Sequence, residues 1–199
     1  MSPQRMQHRK NPKIVAALNP IDPAKPSTKA WTARCTPQEV TPVARQRSLS
    51  RQAQDIILDT NVVLDWLVFE HASGLAVGRA ITEGEVRWIV SPPMQEELVD
   101  VFGRLLTLPT LMRWSAQHAP AMAGMCAWAH AVPEPGLLPF SERLRCTDPD
   151  DQCFIDLAIA RRTPSLLTRD HALRRLARRA RPLGVAVLTP EAWAQTQTA

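Results

Sequence analysis

D-I-I-L-D-T-N, residues 55–61, runs three aliphatic residues straight into Asp59, Thr60 and Asn61. A short apolar run bounded by turn residues is how a strand buried on both faces reads. An aspartate where such a strand stops lies at the sheet edge where α/β proteins bind their ligands. Asp, Thr and Asn are also common turn and helix-cap residues. Taken alone, the stretch therefore reads first as a strand ending in a turn, and the rest of the chain has to decide.

Outward from Asp59 the pattern alternates. Thr60 or Asn61 caps a helix running through VVLDWLVFE, and Gly74 to Ala80 suggests a second helix ending near Gly84. VRWIVS (86–91) is a second strand. Ser91 followed by Pro92 and Pro93 then starts a helix, since proline costs little where the backbone N–H has no partner anyway. In MQEELVDVFGRLL, Leu98, Val101, Phe102 and Leu105 share one face. Residues 110–131 read as two helices broken at Pro120, with a core stripe of Leu111, Met112, Trp114, Met122, Met125 and Trp128. A Pro/Gly linker (133–139) precedes CTDPDDQCFIDLAIARR, whose Phe154, Leu157, Ala158 and Arg161 follow helical spacing. SLLT (165–168) is a buried strand, Arg169–Ala180 a very basic helix, and GVAVLTP (184–190) a last strand before EAWAQ. Strands separated by helices predict one α/β domain over 55–195, with a central parallel sheet flanked by helices.

Charge divides the chain differently. Residues 1–54 hold ten Lys/Arg against two acids and seven of the 18 prolines, while the remainder has no lysine and is slightly acidic. Low hydrophobicity with unbalanced positive charge predicts a disordered basic extension over 1–54, either a solvated leader or an electrostatic arm for nucleic acid. Its short apolar patch, IVAAL, is too small for a secretory signal. No stretch reaches the roughly 18 apolar residues of a membrane helix. Four cysteines without C-x-x-C spacing argue against a structural zinc site, leaving free thiols in a reducing cytoplasm as the expectation.

Parallel strands bring their C-terminal ends to one edge, so residues that follow different strands converge. Asp59 ends the first strand, Asp170 follows SLLT, and Glu96 and Glu97 lie in the first turns after VRWIVS. Asp148, Asp150 and Asp151 open the helix entering the same edge. Each group alone fits a blander role: a complement to a helix dipole, a solvated face, an N-cap. Together they repel, and such a cluster calls for a cation. Carboxylate and water oxygens suit Mg²⁺ or Mn²⁺, which can activate water against a phosphodiester.

With these segments in view, the sequence resembles the PIN-domain family, and within it the toxin components of bacterial toxin–antitoxin pairs. LDTNVVL is similar to the family's opening motif, EELVDVFGR to its acid-bearing helix, DPDDQCFIDLAIA to its third motif and LLTRDHAL to its fourth. The likeness spans about 55–190 in the right order. It implies Asp59, Glu97, Asp151 and Asp170 as the catalytic, metal-holding acids, with Asn61 and Thr168 as supporting polar residues. Glu96 stands as an alternative to Glu97. Asp148 or Asp150 shares the role given to Asp151 if the register slips.

The resemblance implies a metal-dependent endoribonuclease acting on single-stranded RNA, paired with a cognate antitoxin and able to form a homodimer in the cytoplasm. Eight arginines within 161–181 offer phosphate contacts, foremost Arg169, Arg174, Arg175 and Arg178. Their bland reading is a solvated face or a groove for an acidic partner. The competing class is a catalytically silent RNA-binding or scaffold protein of the same fold. A haloacid-dehalogenase-like phosphatase would want D-x-D-x-T at the first strand, where Asn61 replaces the second Asp.

Overall fold

The computed structural model describes residues 53–197. The basic extension assigned to 1–54 therefore lies, but for its last two residues, outside the described residues. Five strands form one sheet: β1 (Gln54–Leu58), β2 (Val86–Val90), β3 (His130–Ala131), β4 (Ser165–Leu167) and β5 (Ala186–Leu188). Their order is β3-β2-β1-β4-β5 and every pairing is parallel. The expected parallel α/β sheet is thus present. The two-residue β3 has no counterpart in the sequence reading, because two residues cannot display a period.

β1 lies at the centre for a simple reason. Ile56, Ile57 and Leu58 are all buried, so both faces of this strand need cover. Trp88, Phe102 and Phe154 are fully buried around it, each contributing about 1.5–3 kcal/mol of transfer free energy.

The helices are α1 (Thr60–Leu67), α2 (Ala72–Thr82), α3 (Pro92–Thr107), α4 (His118–Trp128), α5 (Gln152–Arg161), α6 (His171–Arg174), α7 (Ala177–Ala180) and α8 (Pro190–Gln197). α1 packs closely on α2, and glycine makes that possible. A Cβ on Gly74 would lie 2.5 Å from the backbone carbon of Asp65, and one on Gly78 would lie 2.0 Å from the Trp66 ring nitrogen. α8 in turn packs on α2, and α5 on β1 and β4.

Four expectations are corrected. The break before α4 falls at a 3-10 turn (Met112–Gln117), and Pro120 sits inside the first turn of α4, where its missing N–H does no harm. In the stripe assigned to the core, Leu111 and Met125 are buried but Met112 and Trp128 face solvent. The single basic helix over Arg169–Ala180 is two short helices, α6 and α7, with Arg175 and Leu176 between them. Cys146 and Cys153 are free thiols as expected, whereas Cys126 is disulfide-bonded.

Candidate active site

The strand order reverses beside β1. The chain moves from β1 outward through β2 and β3, then returns to place β4 on the other side of β1. A crevice beyond the C-terminal ends of strands at such a switch point is the usual ligand site of open parallel sheets. Leu58 pairs with Leu167 there, so the next residues, Asp59 and Thr168, stand side by side.

The backbone holds this pair before any side chain does. The Asp59 amide donates to the Leu167 carbonyl at 2.9 Å, and the Thr168 amide to the Leu188 carbonyl at 2.9 Å. Asp59, not the expected Thr60 or Asn61, is the N-cap of α1, and its carbonyl accepts from the Val62 amide at 2.8 Å. Its carboxylate does not cap the helix. Instead Oδ2 accepts from Thr168 Oγ1 at 2.8 Å and, more weakly, from Asn61 Nδ2 at 3.4 Å. Thr168 Oγ1 also accepts the Asp170 amide at 2.8 Å. One hydroxyl thereby orients two of the four acids.

Burial pushes the Asp59 carboxyl above the usual carboxylate range, and Asp170 adds to the rise, against the hydrogen bonds from Thr168 and Asn61. Asp170 is the N-cap of α6, its Oδ1 accepting from the Ala172 amide at 2.5 Å. The capping role is thus real but occupies one oxygen. Asp151, at the N-terminus of α5 without a side-chain cap bond, is raised to about 8, first by burial and then by the charges of Asp59, Asp170, Asp148 and Glu97. Glu97 on α3 is raised to about 7, chiefly by burial, with Asp59 and Asp150 adding repulsion.

The four expected acids therefore share one electrostatic neighbourhood, delivered by β1, α3, α5 and the turn after β4. Between the alternatives, Glu97 is the acid on α3 that feels Asp59. Asp151 is the member of its trio that feels Asp59, Asp170 and Glu97 together. Asp150 is exposed, and Asp148 is half-buried with Oδ1 accepting the Asp150 amide at 3.0 Å.

Sequence reasoning missed Thr60. Its buried hydroxyl lies beside Glu97 and lowers that carboxyl, yet it makes no hydrogen bond of ordinary geometry. The signal lay in its place between Asp59 and Asn61. Cys146 and Cys153 also border the acids. Burial and the nearby carboxylates push both thiols up, so neither supplies a thiolate nucleophile.

Arg169 departs from its expected role. Its Nε donates to Asp65 Oδ2 at 2.7 Å, and its Nη2 to Ser73 Oγ and Glu191 Oε1, both at 2.6 Å. A guanidinium so engaged braces the turn after β4 against α1, α2 and α8 and has little left for phosphate. Arg174, Arg175 and Arg178 are exposed.

The donor set, four carboxylates of which burial and neighbouring charge raise the proton affinity of Asp59, Glu97 and Asp151, is the oxygen-rich kind that hard divalent cations take. As the side chains are placed, no three His, Cys, Asp or Glu among the described residues are close enough together to hold a metal ion. The fit rests on donor chemistry and charge, not on a closed cage.

Comparison with known families settles the class. A family model described as PIN domain matches residues 55–172, more than half of the chain and all four acids. The chain belongs to the PIN-domain family. The match begins at Asp55 and stops two residues beyond Asp170, so α7, β5 and α8 lie outside the matched segment. Among solved structures it is similar to VapBC2 from Rickettsia felis bound to a DNA fragment from their promoter, at 10% identity and TM-score 0.47, over 67% of this chain and 97% of that one. A comparison with curated proteins found no relative. The phosphatase reading falls with the family assignment.

Proposed function

We propose that this PIN domain is a metal-dependent endoribonuclease that hydrolyses phosphodiester bonds of single-stranded RNA and serves as the toxin of a toxin–antitoxin pair. The observation that carries the reading is the delivery of Glu97, Asp151 and Asp170 to buried Asp59 from separate elements, where burial and the Asp59 charge raise both Glu97 and Asp151. Such an arrangement is costly for a fold alone, and a divalent cation relieves it.

Asp59, Asp151 and Asp170 would hold Mg²⁺ or Mn²⁺, with Glu97 binding directly or through water. The ion, when bound, supplies a more acidic water and charge stabilisation for the leaving oxygen. Thr168 and Asn61 fix the Asp59 carboxylate, as their bonds to Oδ2 suggest. Glu97, with its carboxyl near neutrality, is matched to accept the proton of the attacking water. Arg174, Arg175 and Arg178 draw the polyanion towards an otherwise acidic edge.

An antitoxin would silence the site by covering it, and Leu75, exposed on α2, offers apolar docking surface. A homodimer and a cytoplasmic location complete the reading. Among the described residues no helix is long and apolar enough to cross a membrane.

The second reading is a catalytically silent PIN domain that binds RNA or acts as a scaffold, favoured by the lack of a ready three-ligand group among the described residues. Cleavage of labelled single-stranded RNA with Mg²⁺ or Mn²⁺, with EDTA, and with Asp59→Asn separates the two. Metal-dependent cutting that disappears in Asp59→Asn supports the nuclease. Binding without cutting by both proteins supports the silent form.

A further inference from the structure

Beside the acids lies an open cavity of about 530 Å³, within the size range of small-ligand sites. One wall is Asp170, so whatever fills the cavity reaches the acidic centre. Another is Arg175, the exposed residue in the break between α6 and α7. Arg175 keeps helical backbone angles (φ −63°, ψ −23°) and its amide donates to the His171 carbonyl at 3.1 Å, so it continues the turn of α6 at the cavity wall. Thr147 and Asp148 supply polar atoms, and Pro149 an apolar surface, from the segment leading into α5.

We propose that this cavity is the subsite for the nucleotide flanking the scissile bond, with Arg175 holding its phosphate and Asp148 accepting from its ribose 2′-hydroxyl. The assignment rests on the nuclease reading for its place beside the scissile bond, but its chemistry stands on the cavity alone. Arginine's planar fork matches phosphate oxygens, and Arg175 is the cation that lines the cavity with Asp170. Asp148 has Oδ1 tied to the Asp150 amide, which fixes the group and leaves Oδ2 for a donor. An ionised carboxylate only accepts. It repels a phosphate and welcomes a hydroxyl, and the 2′-hydroxyl is the donor that RNA has and DNA lacks. The two residues therefore divide one nucleotide between them by charge.

The test is binding in an Asp59→Asn background with Mg²⁺, read by fluorescence anisotropy of matched single-stranded RNA and DNA. Arg175→Ala should weaken both strands about tenfold, and Arg175→Lys should recover part of the loss. Asp148→Asn should weaken RNA severalfold while leaving DNA unchanged. Melting temperatures of the variants should match the parent, since both side chains reach solvent. Equal affinity of Arg175→Ala and the parent for RNA overturns the subsite, and equal loss for RNA and DNA in Asp148→Asn overturns the 2′-hydroxyl contact. If the wild-type chain cuts no RNA and Arg175→Ala still binds tenfold more weakly, the nuclease reading fails while the nucleotide pocket stands.

Discussion

The hydroxyl of Thr168 donates a 2.8 Å hydrogen bond to Oδ2 of Asp59, joining two buried side chains 109 positions apart in the chain. Thr168 Oγ1 in turn accepts from the backbone amide of Asp170. A single atom thus ties the end of β1 to the turn after β4 across the switch point.

Thr168→Val keeps the shape and removes this hydroxyl, leaving the Asp59 carboxylate without its nearest donor. The expected cost is about 1–3 kcal/mol in urea denaturation, with kcat/KM down by about 10- to 100-fold. Thr168→Ser should recover most of both. A stable, fully active valine variant would contradict the role given to this bond.

Asp151 links stability to pH. Its carboxyl titrates at about 8 when folded against 3.8 for an unperturbed group. Between those values the unfolded chain has lost a proton that the folded chain keeps, so metal-free stability falls as pH rises through the window. Asp151→Asn cannot ionise and escapes the penalty. In EDTA the variant should match the wild-type unfolding free energy near pH 4 and exceed it at pH 9 by on the order of 1 kcal/mol in urea denaturation, while losing cleavage.

Metal addition follows from the same sign. Glu97, raised to about 7, and Asp151 must both release protons before they can bind a cation. The rise in melting temperature on adding Mg²⁺ or Mn²⁺ should therefore be larger at pH 8 than at pH 6, and absent in Asp59→Asn. A pH-independent rise, equal in the variant, would place the metal elsewhere.

Gly74→Ala tests the α1–α2 contact. The new Cβ would meet backbone atoms of Asp65 at 2.5 Å and of Trp66 at 2.6 Å, and backbone cannot swing aside as a side-chain end can. Destabilisation of about 1–3 kcal/mol is expected from chemical denaturation. Gly103→Ala, with nothing within 4 Å of its Cβ, is the control and should not be destabilised.

Arg169→Met should cost on the order of 1 kcal/mol through loss of the pairs to Asp65 and Glu191. RNA affinity and its salt dependence should stay unchanged, because the guanidinium already has protein partners. A reduced salt slope, measured by anisotropy across a salt series, would return Arg169 to the phosphate contacts.

The sequence by itself determined the strands that carry long apolar runs, their parallel arrangement and the acids that follow them. Burial demand acts locally, so D-I-I-L could be read without knowing its neighbours, and Asp59 was marked by the chemical break at its end. Ser91-Pro92-Pro93 announced α3 for an equally local reason. Only the tertiary structure decided what depends on distance through space. Thr168 became the hinge of the site because β4 lies beside β1 in one register. Glu97 rather than Glu96 is the acid on α3 coupled to Asp59. Arginines that look equivalent in R-D-H-A-L-R-R parted company, Arg169 braced among Asp65, Ser73 and Glu191 and Arg175 exposed at a cavity wall. Charge and periodicity along a chain cannot report such choices, since they turn on which remote carboxylate or hydroxyl the fold brings within bonding reach.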